Sequence, residues 1–371
     1  MTVLPSLLTF AVFVGACAIV KLLRRLFPGH DVWNSNLRQY PHILPYLGLG
    51  LTIRMWVDFY KGQFSEGIRL LHVIHGPTFA AKIMTKDYIY TTEPQNIRTI
   101  TKIKPLNFEK SEWASEAAKH IGNGILLNEG EEWRRSRTTL KPIFASNAAD
   151  DSTLMEPHVR RLIAHMASLS KGEGVFEFRK LAQMLMLDVV TAFLFGKSTG
   201  CLESPRSPDG EDGLEFLSLV RSFDGPSASF MALGALAWLQ LLPCYGELNK
   251  TVAGMKAFFR RKLADIMENT EGTPARTLPW SVFKTMMAND VPVEQIQGEV
   301  QNIFFASWDT TSALLANTVY ALTRHPHVQA RLREEIRYLH GQPPMKQDLN
   351  NMVYLGLVVD EGACTPPPQK L

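Results

Sequence analysis

The residues best suited to chemistry stand together inside one apolar stretch. Between Val293 and about Thr323, the run Phe305-Ala306-Ser307-Trp308-Asp309-Thr310-Thr311-Ser312 replaces large apolar side chains with small and polar ones. Asp309 beside Thr310 can relay protons, and the single methyl of Ala306 leaves room for a flat cofactor. The same residues also fit a structural role, with Thr310 and Thr311 bonding back to carbonyls one turn earlier and Asp309 paired to a distant base. Upstream, Trp133-Arg134-Arg135-Ser136-Arg137 places an indole and a guanidinium four residues apart, on one face of a helix. As plain structure, Trp133 would be core and the arginines a solvated face. His72 and His75 come nearest to metal-ligand spacing, but no third ligand accompanies them. They read as loop residues, and no metal site is expected.

These residues need a helical frame, and the sequence supplies it. Ile296, Val300, Ile303, Phe304, Leu314, Leu315 and Leu322 keep helical spacing, and only Gly298 interrupts the run. At about 1.5 Å per residue such a helix crosses a whole domain. Polar groups buried in it need partners, since each one left unsatisfied costs about 1–3 kcal/mol. Val159, Leu162, Ile163, Met166 and Leu169 share one face of an earlier helix, as do Leu181, Leu185, Val189 and Phe193 of another. Helices are expected to dominate from about Asn107 onward. The partial alternation from Gly76 to Thr92 predicts a small hairpin, so the fold class is mainly α with a small N-terminal β-sheet. Glu203 to Gly213 reads as a polar loop within one domain, and Ala228 to Leu242 as core or as a membrane-facing wall.

The 46% hydrophobic and 20% charged residues suit a sizeable globular core, and a net charge of +3 is too small for a nucleic-acid surface. Cys17, Cys201, Cys244 and Cys364 show no paired spacing, which fits a reducing compartment. Thr2 to Val20 carry no charge, and Lys21, Arg24 and Arg25 follow directly. Residues 1–27 are therefore expected to be a transmembrane anchor with a basic stop-transfer, with residues 28–371 on the cytoplasmic side. A cleaved signal peptide would need a basic start, which is missing. Pro28, Pro41 and Pro45 with Gly29, Gly48 and Gly50 read as a linker.

The run Ala-x-x-Asp-Thr-Thr from Ala306 to Thr311 resembles the oxygen-binding helix of cytochromes P-450, with Ser307 where glycine is usual. His325-Pro326 through Ile336 is similar to that family's next helix, with proline at its start. Trp133 and Arg137 match its Trp-x-x-x-Arg helix, Phe193 to Gly196 adds a further likeness, and Gly122 to Ala145 is similar to fungal alkane and fatty-acid hydroxylases. The resemblance implies a haem-thiolate monooxygenase with haem b. Trp133 and Arg137 would reach the propionates, Ala306 would lie beside the cofactor, and Asp309 and Thr310 would be catalytic. It also implies an apolar small-molecule substrate, an NADPH-cytochrome P-450 reductase as electron donor, and the endoplasmic reticulum membrane as location.

The pattern breaks after Glu361. Where the family carries Glu-x-x-Arg and then paired prolines, this chain reads Glu361-Gly362-Ala363-Cys364-Thr365-Pro366-Pro367-Pro368. Cys364 takes the arginine position, and a thiol cannot replace a bidentate guanidinium. Nor does Cys364 have the setting of the family's thiolate ligand, whose loop does not follow. The expectation is a P-450 fold truncated before the ligand loop and inactive as it stands, as a frameshift or missed splice after Glu361 would produce. The alternative is a non-enzymatic, membrane-anchored remnant that binds a lipid or a partner.

Overall fold

A computed structural model describes residues 37–41, 48–83, 86–110, 121–145, 152–171, 175–203, 212–223, 246–270 and 281–364. The expected anchor, most of the linker and the 228–242 stretch lie outside the described residues. Among those described, no helix is long and apolar enough to cross a membrane. The chain forms two compact units that divide after Phe108.

The first unit contains β1 (Arg38–Gln39), α1 (Leu49–Tyr60), α2 (Phe64–His75), β2 (Thr78–Ile83), β3 (Lys86–Thr91) and α3 (Pro94–Arg98). Strands β2 and β3 form the expected antiparallel hairpin, with Thr78 opposite Thr91 and Ile83 opposite Lys86, and β1 joins β2 in parallel. Lys82 faces Asp87 across the ladder at 2.7 Å, both side chains nearly buried. Phe79 stacks on Tyr90, and with Leu51, Leu71 and Ala81 it makes a small core. Helices α1 and α2 precede the expected onset of helix near Asn107. Their outward faces carry the exposed Ile53, Val73 and Ile74. His72 and His75 end α2 rather than lying in a loop, and His72 Nδ1 bonds the Gly76 carbonyl at 3.2 Å.

The second unit is helical: α4 (Gly130–Ala145), α5 (Ser152–Ser170), α6 (Phe178–Phe195), α7 (212–223), α8 (Gly246–Thr270), α9 (Val282–Ala288), α10 (Val293–Arg324), α11 (Pro326–Glu335), α12 (Lys346–Asn351) and α13 (Val353–Cys364). The 32 residues of α10 match the predicted long helix, and Pro326 opens α11 as expected. Leu181, Leu185 and Val189 are buried on α6, and Leu162 on α5 packs against them. Ile163 and Leu169, expected on the same inward face as Leu162, are instead exposed. The main core stacks Phe216 on Phe258 and Phe304 on Trp308, with Phe259 edge-on to Phe304. These rings pin α7, α8 and α10 together, and aromatic pairs add about 0.5–1.5 kcal/mol beyond their burial.

Two carboxylates hold the ends of elements in this unit. Asp188, fully buried on α6, accepts from Thr199 Oγ1 at 2.9 Å, Cys201 N at 2.7 Å and Leu202 N at 2.9 Å, so the turn after α6 folds back on it. Glu335 at the end of α11 accepts from the backbone N–H groups of Tyr354 and Leu355, at 2.7 and 2.8 Å. It caps α13 with a negative charge at the positive end of the helix. Gly362 then lies against α10 so closely that a Cβ there would come within 2.2 Å of Thr318 Oγ1.

Candidate functional site

The polar notch of α10 is satisfied almost entirely within reach of its own helix. Thr310 Oγ1 donates to the Ala306 carbonyl at 2.7 Å, Ser307 Oγ to Ile303 O at 2.6 Å, and Ser312 Oγ to Asp309 O at 2.9 Å. A β-hydroxyl used this way has given its proton to the helix, while its oxygen can still accept a bond. Ala306 and Thr310 lie four residues apart on an exposed stripe, whereas Trp308 is turned into the core at 2% exposure. The hydroxyl of Ser307, at the position where the resembled helices carry glycine, is folded back on the helix.

Asp309 points sideways to α6. Its Oδ1 accepts from Gln183 Nε2 at 3.2 Å and lies 3.4 Å from Arg179 Nη2. Gln183 is buried, and its own oxygen accepts from Arg221 Nε on α7 at 2.8 Å. Three helices thus orient one carboxylate. Nothing in the sequence marked Arg179 and Gln183 on α6 or Arg221 on α7, because no motif surrounds them and both helices are distant from Asp309 in the chain.

Trp133 and Arg137 share a face of α4, with the guanidinium carbon 5.4 Å from the centre of the indole ring. Trp133 is half-buried and Arg137 exposed, and among the described residues Arg137 has no carboxylate partner, unlike Arg134, which pairs with Glu131. An unpaired guanidinium stacked beside an indole N–H is a donor set for anionic oxygens. It fits the two carboxylates of a haem propionate edge.

Ser136 of α4 lies near the buried carboxyl of Glu299 on α10, whose Oε2 accepts from Ile125 N at 2.8 Å and whose Oε1 has no hydrogen-bond partner among the described residues. Burial raises the Glu299 pKa from its ordinary value, and the nearby Ser136 hydroxyl and the Ile125 N–H pull only partly against it. Cys364 is exposed at the end of α13. Among the described residues, no group of three or more His, Cys, Asp or Glu is placed to hold a metal ion.

The sequence model described as cytochrome P-450 matches residues 39–362, nearly the whole chain. The chain belongs to the cytochrome P-450 family. Curated relatives of this P-450 include the monooxygenase himC of Aspergillus japonicus, 27% identical over 369 residues, 96% of this chain and 65% of that protein. The monooxygenase FPY7 of Fusarium mangiferae is 24% identical over 89% of this chain and 64% of its own length. Cytochrome P-450 52C2 of Candida maltosa is 26% identical over 79% of this chain and 59% of its own. The chain spans less than two thirds of the length of these relatives. Its mostly helical build with a three-stranded sheet is that of the P-450 fold, the family's relatives are monooxygenases, and the family implies haem.

Proposed function

We propose that this P-450 inserts one oxygen atom into a C–H bond of an apolar, alkane-like or fatty-acid-like substrate, using haem b and electrons from a membrane-bound NADPH reductase. The observation that carries this reading is the exposed Ala306–Thr310 stripe, flanked by a carboxylate that three helices hold in place. When bound, haem supplies the activation of dioxygen. Trp133 and Arg137 would hold its propionates with an indole N–H and a guanidinium. The small side chain of Ala306 keeps the helix face flat enough for a ring system to lie against it.

Thr310 and Asp309 supply the proton chemistry. The Thr310 oxygen accepts a hydrogen bond while its own proton stays on the Ala306 carbonyl, so it can steady a polar group beside the helix. Asp309 brings protons only if it can leave Arg179. That pair is 3.4 Å long with side chains 52% and 33% exposed, and an exposed pair of this kind is worth at most about 1 kcal/mol, so the change of partner is cheap. The uncharged run ahead of Lys21, Arg24 and Arg25 supports a location on the endoplasmic reticulum membrane with the catalytic part in the cytoplasm.

The test is Thr310→Ala in a counterpart that carries the family's cysteine-ligand loop, in microsomes with the reductase, supplied with an n-alkane or a fatty acid. NADPH consumption should continue while hydroxylated product falls about tenfold or more and peroxide rises. Unchanged coupling of NADPH to product would leave Thr310 with nothing but its helix back-bond.

A further inference from the structure

Segment 122–128 has no regular structure, yet Gly124 and Leu127 are buried and Gly122, Ile125 and Asn128 half-buried, with Gly122 and Gly124 close against the N-terminal half of α10. An irregular buried segment needs partners for its backbone, and a helix has no spare backbone groups to offer. Side chains of α10 do the work. Asn302 Oδ1 accepts from Leu126 N at 3.1 Å while its Nδ2 donates to Gly122 O at 2.8 Å. Glu299 Oε2 accepts from Ile125 N at 2.8 Å, and Ser136 of α4 lies near the same carboxyl. The segment is tied to α4 directly, since the Ser136 oxygen accepts from Asn128 Nδ2 at 3.2 Å.

The approach is as close as glycine allows. A Cβ on Gly298 would fall 1.7 Å from the Asn123 carbonyl oxygen, and one on Gly124 would fall 2.7 Å from Asn302 Cγ. Gly122 has φ +83°, a conformation natural to glycine. The clamp lies on the same stripe of α10 as the site. Asn302 precedes Ala306 by four residues, about 6 Å along the axis, and Glu299 precedes Thr310 by eleven, about 16 Å. Segment 122–128 then runs directly into α4, which begins at Gly130 and carries Trp133 and Arg137.

We infer that Glu299 and Asn302 are positioning residues, which fix α4 in register with α10 and so set the relation of Trp133 and Arg137 to Ala306 and Thr310. Apolar contacts would let the segment slide. Bonds to named backbone atoms do not, because a shift of one residue breaks all of them at once. The significance of this register for cofactor binding rests on the haem reading above. The clamp itself does not depend on it.

The experiment combines hydrogen exchange read by mass spectrometry with haemin titration of the full chain. Asn302→Leu should speed exchange of the 121–128 amides at least tenfold, loosen the first turns of α4, and leave α6 protected. Haemin affinity should fall by tenfold or more, as it should in Arg137→Ala. Glu299→Leu should behave likewise, whereas Glu299→Gln, which keeps an acceptor for Ile125, should restore both readouts. Should Asn302→Leu fail to fold, Gly124→Ala wedges the segment away without altering α10. The proposal is overturned if 121–128 exchanges as in the parent in both variants. It is also overturned if that segment loosens while haemin binds as before, in a protein where Arg137→Ala weakens binding. If Arg137→Ala leaves affinity unchanged, it is the haem reading that fails, and the exchange data alone decide the clamp.

Discussion

The two halves of α10 follow one amphipathic pattern but are held in different ways. From Ile296 to Phe304 every residue but Gln297 is buried, and the polar atoms of Glu299 and Asn302 bond to backbone 174 and 176 positions away. From Phe305 to Arg324 the hydroxyls of Ser307, Thr310, Ser312 and Thr323 all donate to carbonyls of their own helix. Polar side chains in the first half therefore carry tertiary information. The hydroxyls in the second half are locally satisfied, Thr310 among them, and only the half-exposed Asp309 of the candidate proton-handling pair reaches across to α6. One half fixes geometry, and the other can change partners at small cost.

The contrast would break most visibly at Phe304. Its ring is fully buried against Phe216, Phe259 and Trp308, so Phe304→Ala should cost about 4 kcal/mol in urea unfolding of the full chain. A loss of under about 1 kcal/mol would mean that the first half is no more tightly packed than the second.

A subtler test uses Glu299. Its pKa is raised in the fold chiefly by burial, while in the unfolded chain it titrates at the ordinary carboxylate value. The stability it contributes as a neutral acid is thus complete below the unfolded pKa and is lost as pH rises through the folded one. Unfolding midpoints should fall across that window with a slope of at most about 1.4 kcal/mol per pH unit, and Glu299→Gln should flatten this component. An unchanged slope in the variant would show that Glu299 titrates normally and is not held neutral.

The smallest effect is expected in the second half. Arg179→Gln removes a half-exposed charge from Asp309 while the Gln183 bond remains, so stability should move by about 0.5 kcal/mol or less. A loss above about 2 kcal/mol would make the Asp309 carboxylate as rigidly held as the clamp, against the contrast drawn above.

Much of this was legible in the residues. The period of α10 and the burial of Leu181, Leu185 and Val189 on α6 follow from 3.6-residue spacing, and the β2–β3 hairpin follows from alternation, because these are properties of a single element. The likeness carried by Ala306, Asp309, Thr310, Trp133 and Arg137 pointed to the family that the chain belongs to. Two features of the site could not be read in this way. Glu299 and Asn302 look like polar interruptions of an apolar stripe, and only Gly298 stood out as a break. Arg179, Gln183 and Arg221 sit on two other helices with nothing to connect them to Asp309.

The sequence by itself determined which segments become helix or hairpin and which short runs of residues face the same way, since those depend on neighbours a few positions apart. Only the tertiary structure decided which buried polar atoms meet. That choice is made where an irregular segment such as 122–128 loses water and must find donors and acceptors on a helix distant in the chain.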